Sequence, residues 1–146
     1  MKLNTALIGL VLVSSGLLVS ACQTADPSKV TTGSSTRSLT TKAGTQVLLT
    51  NILNYNPDCS TGRAPALKVI SGPSHGTVQF AKVSGTLPKG PEDSPNKCHS
   101  RRISATSIRY TPAAGFSGVD KVTVSGQMAG QPQYFDYFSF TISVTK

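Results

Sequence analysis

A chain of 146 residues with 38% hydrophobic residues and no tryptophan has room for one domain with a modest core, which argues against two. Fourteen Lys and Arg face six Asp and Glu, a formal net charge of +8; such an excess favours anionic surfaces, although a solvated basic exterior without a specific ligand fits it equally. Three cysteines and two histidines leave few side chains for a catalytic or metal centre.

The first element is a signal. Lys2 supplies a short basic segment, and Leu3 to Val19 is apolar apart from Asn4, Thr5, Ser14 and Ser15. That run is short and poorly flanked for a permanent transmembrane helix, which needs about 20 apolar residues. It closes on Leu18-Val19-Ser20-Ala21-Cys22, which resembles the lipobox of bacterial lipoproteins. The resemblance implies removal of residues 1–21 and acylation of Cys22 by diacylglyceryl and palmitate-type chains, more than the two anchoring signals that stable membrane attachment needs. Gln23, in place of an Asp, favours the outer membrane in a Gram-negative host. An ordinary secretory signal cut elsewhere is the alternative. In a cell envelope the basic excess would meet lipid headgroups, lipopolysaccharide phosphates or acidic wall polymers, and no nucleic acid.

Residues 22–43 read as the lipidated N-terminus and a flexible tether, rich in Ser and Thr and poor in large apolar residues. From Gly44 to the last residue, 44–146, the signals are strand signals. Strands are predicted at Gln46 to Leu53, Ala66 to Ser71, Thr77 to Val83, Ile103 to Thr111, Asp120 to Gly126 and Tyr134 to Val144. Alternation is clearest in the last, with Phe138, Phe140, Ile142 and Val144 on one face and Ser139, Thr141 and Ser143 on the other. Pro73-Ser74-His75-Gly76 is a turn signal, and it predicts a hairpin between the strands on either side of it.

The segments Gly72-Pro73-Ser74-His75-Gly76-Thr77-Val78 and Tyr110-Thr111-Pro112-Ala113-Ala114-Gly115-Phe116-Ser117-Gly118-Val119-Asp120 resemble bacterial Ig-like and cadherin-like domains over most of the mature chain. The resemblance implies an all-β fold, a Greek-key β-sandwich of about seven strands. Within it Phe116 reads as a core plug, Gly115 and Gly118 as turn glycines, and Asp120 as a cap on the turn before the next strand. Where calcium-binding members carry acidic loops, this chain has Asn54-Tyr55-Asn56-Pro57-Asp58-Cys59 and Ser125-Gly126-Gln127-Met128-Ala129-Gly130. One carboxylate is a poor offer to an ion that takes six to eight oxygens, and no calcium site is expected.

With Cys22 acylated, Cys59 and Cys98 remain, and in an oxidising envelope such a pair reads as a disulfide. A Cys2His2 metal site with His75 and His99 is the competing reading; the adjacency of Cys98 and His99 and the lack of a close cysteine pair speak against it. No metal or cofactor is expected. Gly115-Phe116-Ser117-Gly118 lacks the spacing of a nucleophile elbow, and Glu92-Asp93 reads as a solvated turn, so no enzyme is expected.

The segment from Ser84 to Arg102 is longer than a hairpin needs, and such loops are functional or disordered. Stapled through Cys98, it would present Lys89, Lys97, His99, Arg101 and Arg102, a set suited to phosphate or carboxylate. A solvated charge run is the plainer reading. Two functions follow as expectations. One is a lipid-anchored binding or adhesion-type module that contacts an anionic glycan, lipid headgroup or envelope protein. The other is a structural accessory of an envelope complex with an apolar interface at Tyr134, Phe135 and Tyr137.

Overall fold

The computed structural model describes residues 31–92, 95–127 and 134–146. The signal segment, Cys22 and Asp93 lie outside them. The described residues form seven strands: β1 (Thr31–Lys42), β2 (Val47–Leu53), β3 (Ala66–Ser71), β4 (Gly76–Thr86), β5 (Arg102–Pro112), β6 (Gly118–Gln127) and β7 (Tyr134–Thr145). They make two sheets, a four-stranded one in the order β1-β7-β6-β3 and a three-stranded one in the order β2-β5-β4. The chain changes sheet at every connection except β4–β5 and β6–β7, which is the Greek-key β-sandwich that the resemblance implies.

Strand β1 corrects the expected tether. Within the tether expected over residues 22–43, Thr31–Lys42 pairs in parallel with β7 from Thr31↔Tyr134 to Lys42↔Thr145. The composition that suggested a tether is compatible with an edge strand, because an edge needs one hydrogen-bonding side and little apolar surface, and threonine is β-branched. Among its described side chains the hydrophobic Leu39 packs half-buried against the core, and the Arg37 guanidinium donates to the Leu49 carbonyl 2.9 Å away. The folded domain therefore begins by residue 31 rather than at Gly44.

The expected β3–β4 hairpin is the second correction. β3 pairs with β6 and β4 with β5, so Gly72 to His75 carries the chain from one sheet to the other. Turn residues report that the chain reverses or bends; they carry no information about which partner each flanking strand takes.

Between the sheets lie Leu49, Ile108, Tyr110, Val122, Val124, Phe140, Ile142 and Val144, all buried. The alternation read in the last strand holds: Phe140, Ile142 and Val144 are buried, Phe138 half-buried against them. Leu49 reaches this layer from a bulge in β2, where the pairing with β5 slips between Leu48 and Thr50, an extra residue that re-aims a side chain.

Among the described residues one charged side chain is buried. Asp120, on β6, is 3% exposed. Its carboxylate accepts hydrogen bonds from the Ser74 and His75 backbone N–H groups at 2.8 and 2.9 Å, from the Tyr110 hydroxyl at 2.9 Å and from the Lys121 N–H at 3.0 Å. Tyr110 belongs to β5, and Ser74 and His75 to the β3–β4 crossing, so one carboxylate joins both sheets and the chain between them. The turn role expected of Asp120 is thus wider than a local cap. Gly76 completes the arrangement, since a Cβ there would collide with the Tyr110 ring and stand 2.6 Å from the Thr111 carbonyl oxygen. Phe116 is only partly buried, its ring stacked on His75 with centroids 4.1 Å apart.

Burial acts to raise the Asp120 pKa, but the four donated hydrogen bonds outweigh it and hold the group below its ordinary value of 3.8. Burial, and then the bond to this carboxylate, push the Tyr110 hydroxyl well above its ordinary 10. The folded carboxylate binds its proton more weakly than the unfolded one. Its stabilisation is therefore full above the ordinary carboxylate range and is lost as pH falls through the lowered folded value. Replacing Asp120→Ala leaves buried donors unpaired and is expected to cost about 3 kcal/mol or more, and Tyr110→Phe about 2 kcal/mol. Urea unfolding at neutral pH measures both. Repeated down to acid pH, it should show a shallower acid loss in Asp120→Asn than in the parent chain.

Candidate anion-binding site

The β4–β5 hairpin changes its buried face along its length. Near its base the even-numbered Ile108, Tyr110 and Pro112 are buried and the odd-numbered Thr77 and Gln79 exposed. Toward its tip Ile103 and Ala105 are buried and Leu87 follows them, whereas Lys82, Ser84, Thr86 and Arg102 are exposed. The ladder runs without a slip from Gly76↔Pro112 to Thr86↔Arg102, and side chains in a regular strand alternate strictly. The buried side therefore passes from one face of the hairpin to the other around Ser107, whose hydroxyl donates to the Ala81 carbonyl at 3.1 Å.

A second small core explains the change. Leu87, Cys98 and Ile103 are buried together, with Leu53 and Cys59 packed against them. Cys59 and Cys98 form a disulfide with Cα atoms 5.3 Å apart, as the cysteine count predicts, and the metal reading of these thiols falls with it. Gly85 makes room here, since a Cβ would come within 2.9 Å of the Leu53 side chain.

The loops that meet at the disulfide are built by hydrogen bonds. In the first, Asn54 Nδ2 donates to the Arg63 carbonyl at 2.8 Å and Gly62 N–H to the Asn54 carbonyl at 2.8 Å. Asp58 accepts from the Ser60 hydroxyl at 2.6 Å and from its N–H at 3.0 Å. The hydroxyl bond first, then the N–H, hold the Asp58 carboxyl below its ordinary value. The residues weighed as calcium ligands thus shape a turn. In the second loop Leu87 N–H donates to the Arg101 carbonyl, Ser100 N–H to the Leu87 carbonyl and Asn96 N–H to the Lys89 carbonyl.

Of the expected basic residues, Lys89, Lys97, His99, Arg101 and Arg102 are all exposed. Lys97 and His99 flank Cys98 in one turn, and Arg101 follows it with its N–H bonded to the Cys98 carbonyl. The Nδ1 of His99 lies 3.0 Å from the Ser100 hydroxyl. Arg102 belongs elsewhere. With Thr61, Lys82, Ser84 and Ser104 it lines a surface cleft of about 420 Å³, on the face of the hairpin that the second core leaves uncovered. Lys82 was missed in the sequence. The signal was present in Lys82-Val83-Ser84-Gly85-Thr86 and Arg102-Ile103-Ser104-Ala105-Thr106, two alternating segments whose polar members pair across the hairpin.

The pairing also locates this end relative to the chain entry. The first disulfide-tied loop runs into Ala66, which pairs with Gln127; Gln127 pairs with Phe135, and the adjacent Tyr134 with Thr31. The start of β1 and the basic loops therefore share one end of the sandwich, and the Asp120 clamp occupies the other. On β7, strand alternation sets Phe135 and Tyr137 on the face opposite Phe138 and Phe140, and both are half-buried.

No protein-family model matches the chain, and no curated protein matches it. The closed loop spans 39 residues, and opening it with Cys59→Ser and Cys98→Ser is expected to lower stability by about 4 kcal/mol on the chain-entropy model. Hydrogen exchange at the Leu87 and Ser100 amides should accelerate in that variant, and chemical denaturation reads the stability change.

Proposed function

We propose that this chain is a lipid-anchored binding module of the cell envelope, non-catalytic, whose Ig-like sandwich presents a basic, disulfide-tied end to an anionic envelope component. The carrying observation is the shared end: β1 begins where Lys97, His99, Arg101 and Arg102 are exposed. If Cys22 carries the acyl chains, residues 23–30 reach at most about 30 Å when fully extended. The basic end then stands within reach of the surface that holds the anchor, in the outer membrane of a Gram-negative host or the equivalent membrane elsewhere. Basic residues near an anionic surface contribute about 1 kcal/mol each, within a Debye length.

A structural accessory role has one observation of its own, the half-buried Phe135 and Tyr137 on the outer face of the four-stranded sheet. It requires association that is insensitive to salt. Two measurements test the main reading. Mass spectrometry of the N-terminal peptide from cells should find acylated Cys22, and Cys22→Ala should move the protein into the soluble fraction. The unlipidated chain should sediment with phosphatidylglycerol vesicles and not with phosphatidylcholine, and lose this binding between about 50 and 300 mM salt. Lys97→Ser with Arg101→Ser should weaken it about tenfold or more. Equal binding to both vesicle types, or indifference to salt, contradicts the proposal.

A further inference from the structure

The geometry points to the cleft between Lys82 and Arg102 as a binding site for a short saccharide with an anionic group, such as a phosphate, at each end. The inference rests on the reading that the basic end meets an anionic envelope component, and it names the ligand chemistry.

The cleft exists because the hairpin turns its polar face outward at the tip. Lys82 pairs with Thr106, Ser84 with Ser104 and Thr86 with Arg102, so these six side chains share one face. Lys82 and Arg102 stand at diagonal corners, offset by four residues of strand, about 13 Å along the hairpin. A single phosphate bound by Lys82 would leave Arg102 idle. Two anions separated by one or two sugar rings would engage both, the ammonium as a point charge and the guanidinium as a bidentate fork. Between them lies the Ser84–Ser104 pair, with hydroxyls suited to sugar hydroxyls. Thr61 forms a wall. Its Oγ1 accepts the Ser104 N–H at 3.1 Å, which leaves its own proton to donate outward.

Three further observations bear on this. The side chains of Lys82 and Arg102 make no hydrogen bond or ion pair among the described residues, so a ligand would displace no internal contact of theirs. The Thr61 wall is held by the loop that the disulfide ties down, so the hydroxyls are placed before a ligand arrives, which lowers the ordering cost of binding. The cleft is shallow and open to solvent, so a ligand there is held by its charged ends and hydroxyls rather than by enclosure.

The test uses the unlipidated chain, with backbone amide shifts in NMR as the readout. The probes are diacetylchitobiose bearing a phosphate at each end, neutral diacetylchitobiose, inorganic phosphate, and the doubly phosphorylated disaccharide displayed on lipid vesicles. The doubly phosphorylated disaccharide should shift Thr61, Lys82, Ser84, Arg102 and Ser104 and bind at least about tenfold more tightly than the neutral sugar or inorganic phosphate. Lys82→Ser and Arg102→Ser should each weaken it about tenfold, with Lys82→Arg restoring it. Both residues are exposed, so unfolding temperatures should stay close to the parent's. Tighter binding of the vesicle form assigns the ligand to a lipid headgroup, and tighter binding of the free form to a soluble or wall glycan. Inorganic phosphate binding as well as the disaccharide, or no loss in the two serine variants, overturns the site. If the serine variants bind the disaccharide as tightly as the parent while the parent chain still binds phosphatidylglycerol vesicles, the cleft falls and the broader reading stands. If the parent chain ignores those vesicles, the broader reading falls.

Discussion

The rest of this sandwich depends on a carboxylate buried without a cation among its hydrogen-bond partners. Asp120 receives two N–H groups from the β3–β4 crossing, one from its own strand and the Tyr110 hydroxyl from the facing sheet. A charge taken out of water is tolerated only when donors replace the lost hydration. Besides its own strand, the donors come from the β3–β4 crossing and from β5 in the facing sheet, so satisfying the charge also fixes how the sheets face each other. The two motifs around Gly76 and Phe116 make structural sense on this basis: Gly76 admits the Tyr110 ring, and Phe116 covers His75, whose N–H and carbonyl both serve the clamp.

With one end closed by that clamp, the other end is free to differ, and it is built on a separate principle. The β4–β5 hairpin buries one face on the main core at Ile108 and Tyr110, and the opposite face at Ile103 and Ala105. A hairpin that extends past its sheet partner loses the surface that covered it. The loops joined at Cys59 and Cys98 supply a replacement on the other side. The two ends are thus stabilised differently, and the polar face left open at the tip follows from where the second core sits.

How much of this was legible in the sequence depends on where each side chain's partner lies. Period-two alternation in Phe138 to Val144 has a local cause, and it was readable. The Cys59–Cys98 pair followed from counting thiols. Strand β1 was hidden because Thr31 to Lys42 gains its order from β7, about a hundred residues away, and carries one apolar core contact, at Leu39. The β3–β4 connection was misread as a hairpin because Pro73 and Gly76 specify a bend, whereas Asp120 and Tyr110 specify where the bend leads. In the basic segment, adjacency in sequence grouped Arg101 with Arg102, although only Arg102 lines the cleft with Lys82.

The proposed lipid anchor at Cys22 would orient the molecule, with the disulfide-tied basic end toward the membrane and the Asp120 end away from it. Paramagnetic broadening measures this directly, with the acylated protein in anionic nanodiscs whose lipid headgroups carry a spin label. The account predicts loss of amide signal at Thr61, Leu87, Lys97 and Arg102, with Ser74, Gly115 and Lys121 unaffected. Broadening confined to Ser74, Gly115 and Lys121, or spread evenly over both ends, would contradict it.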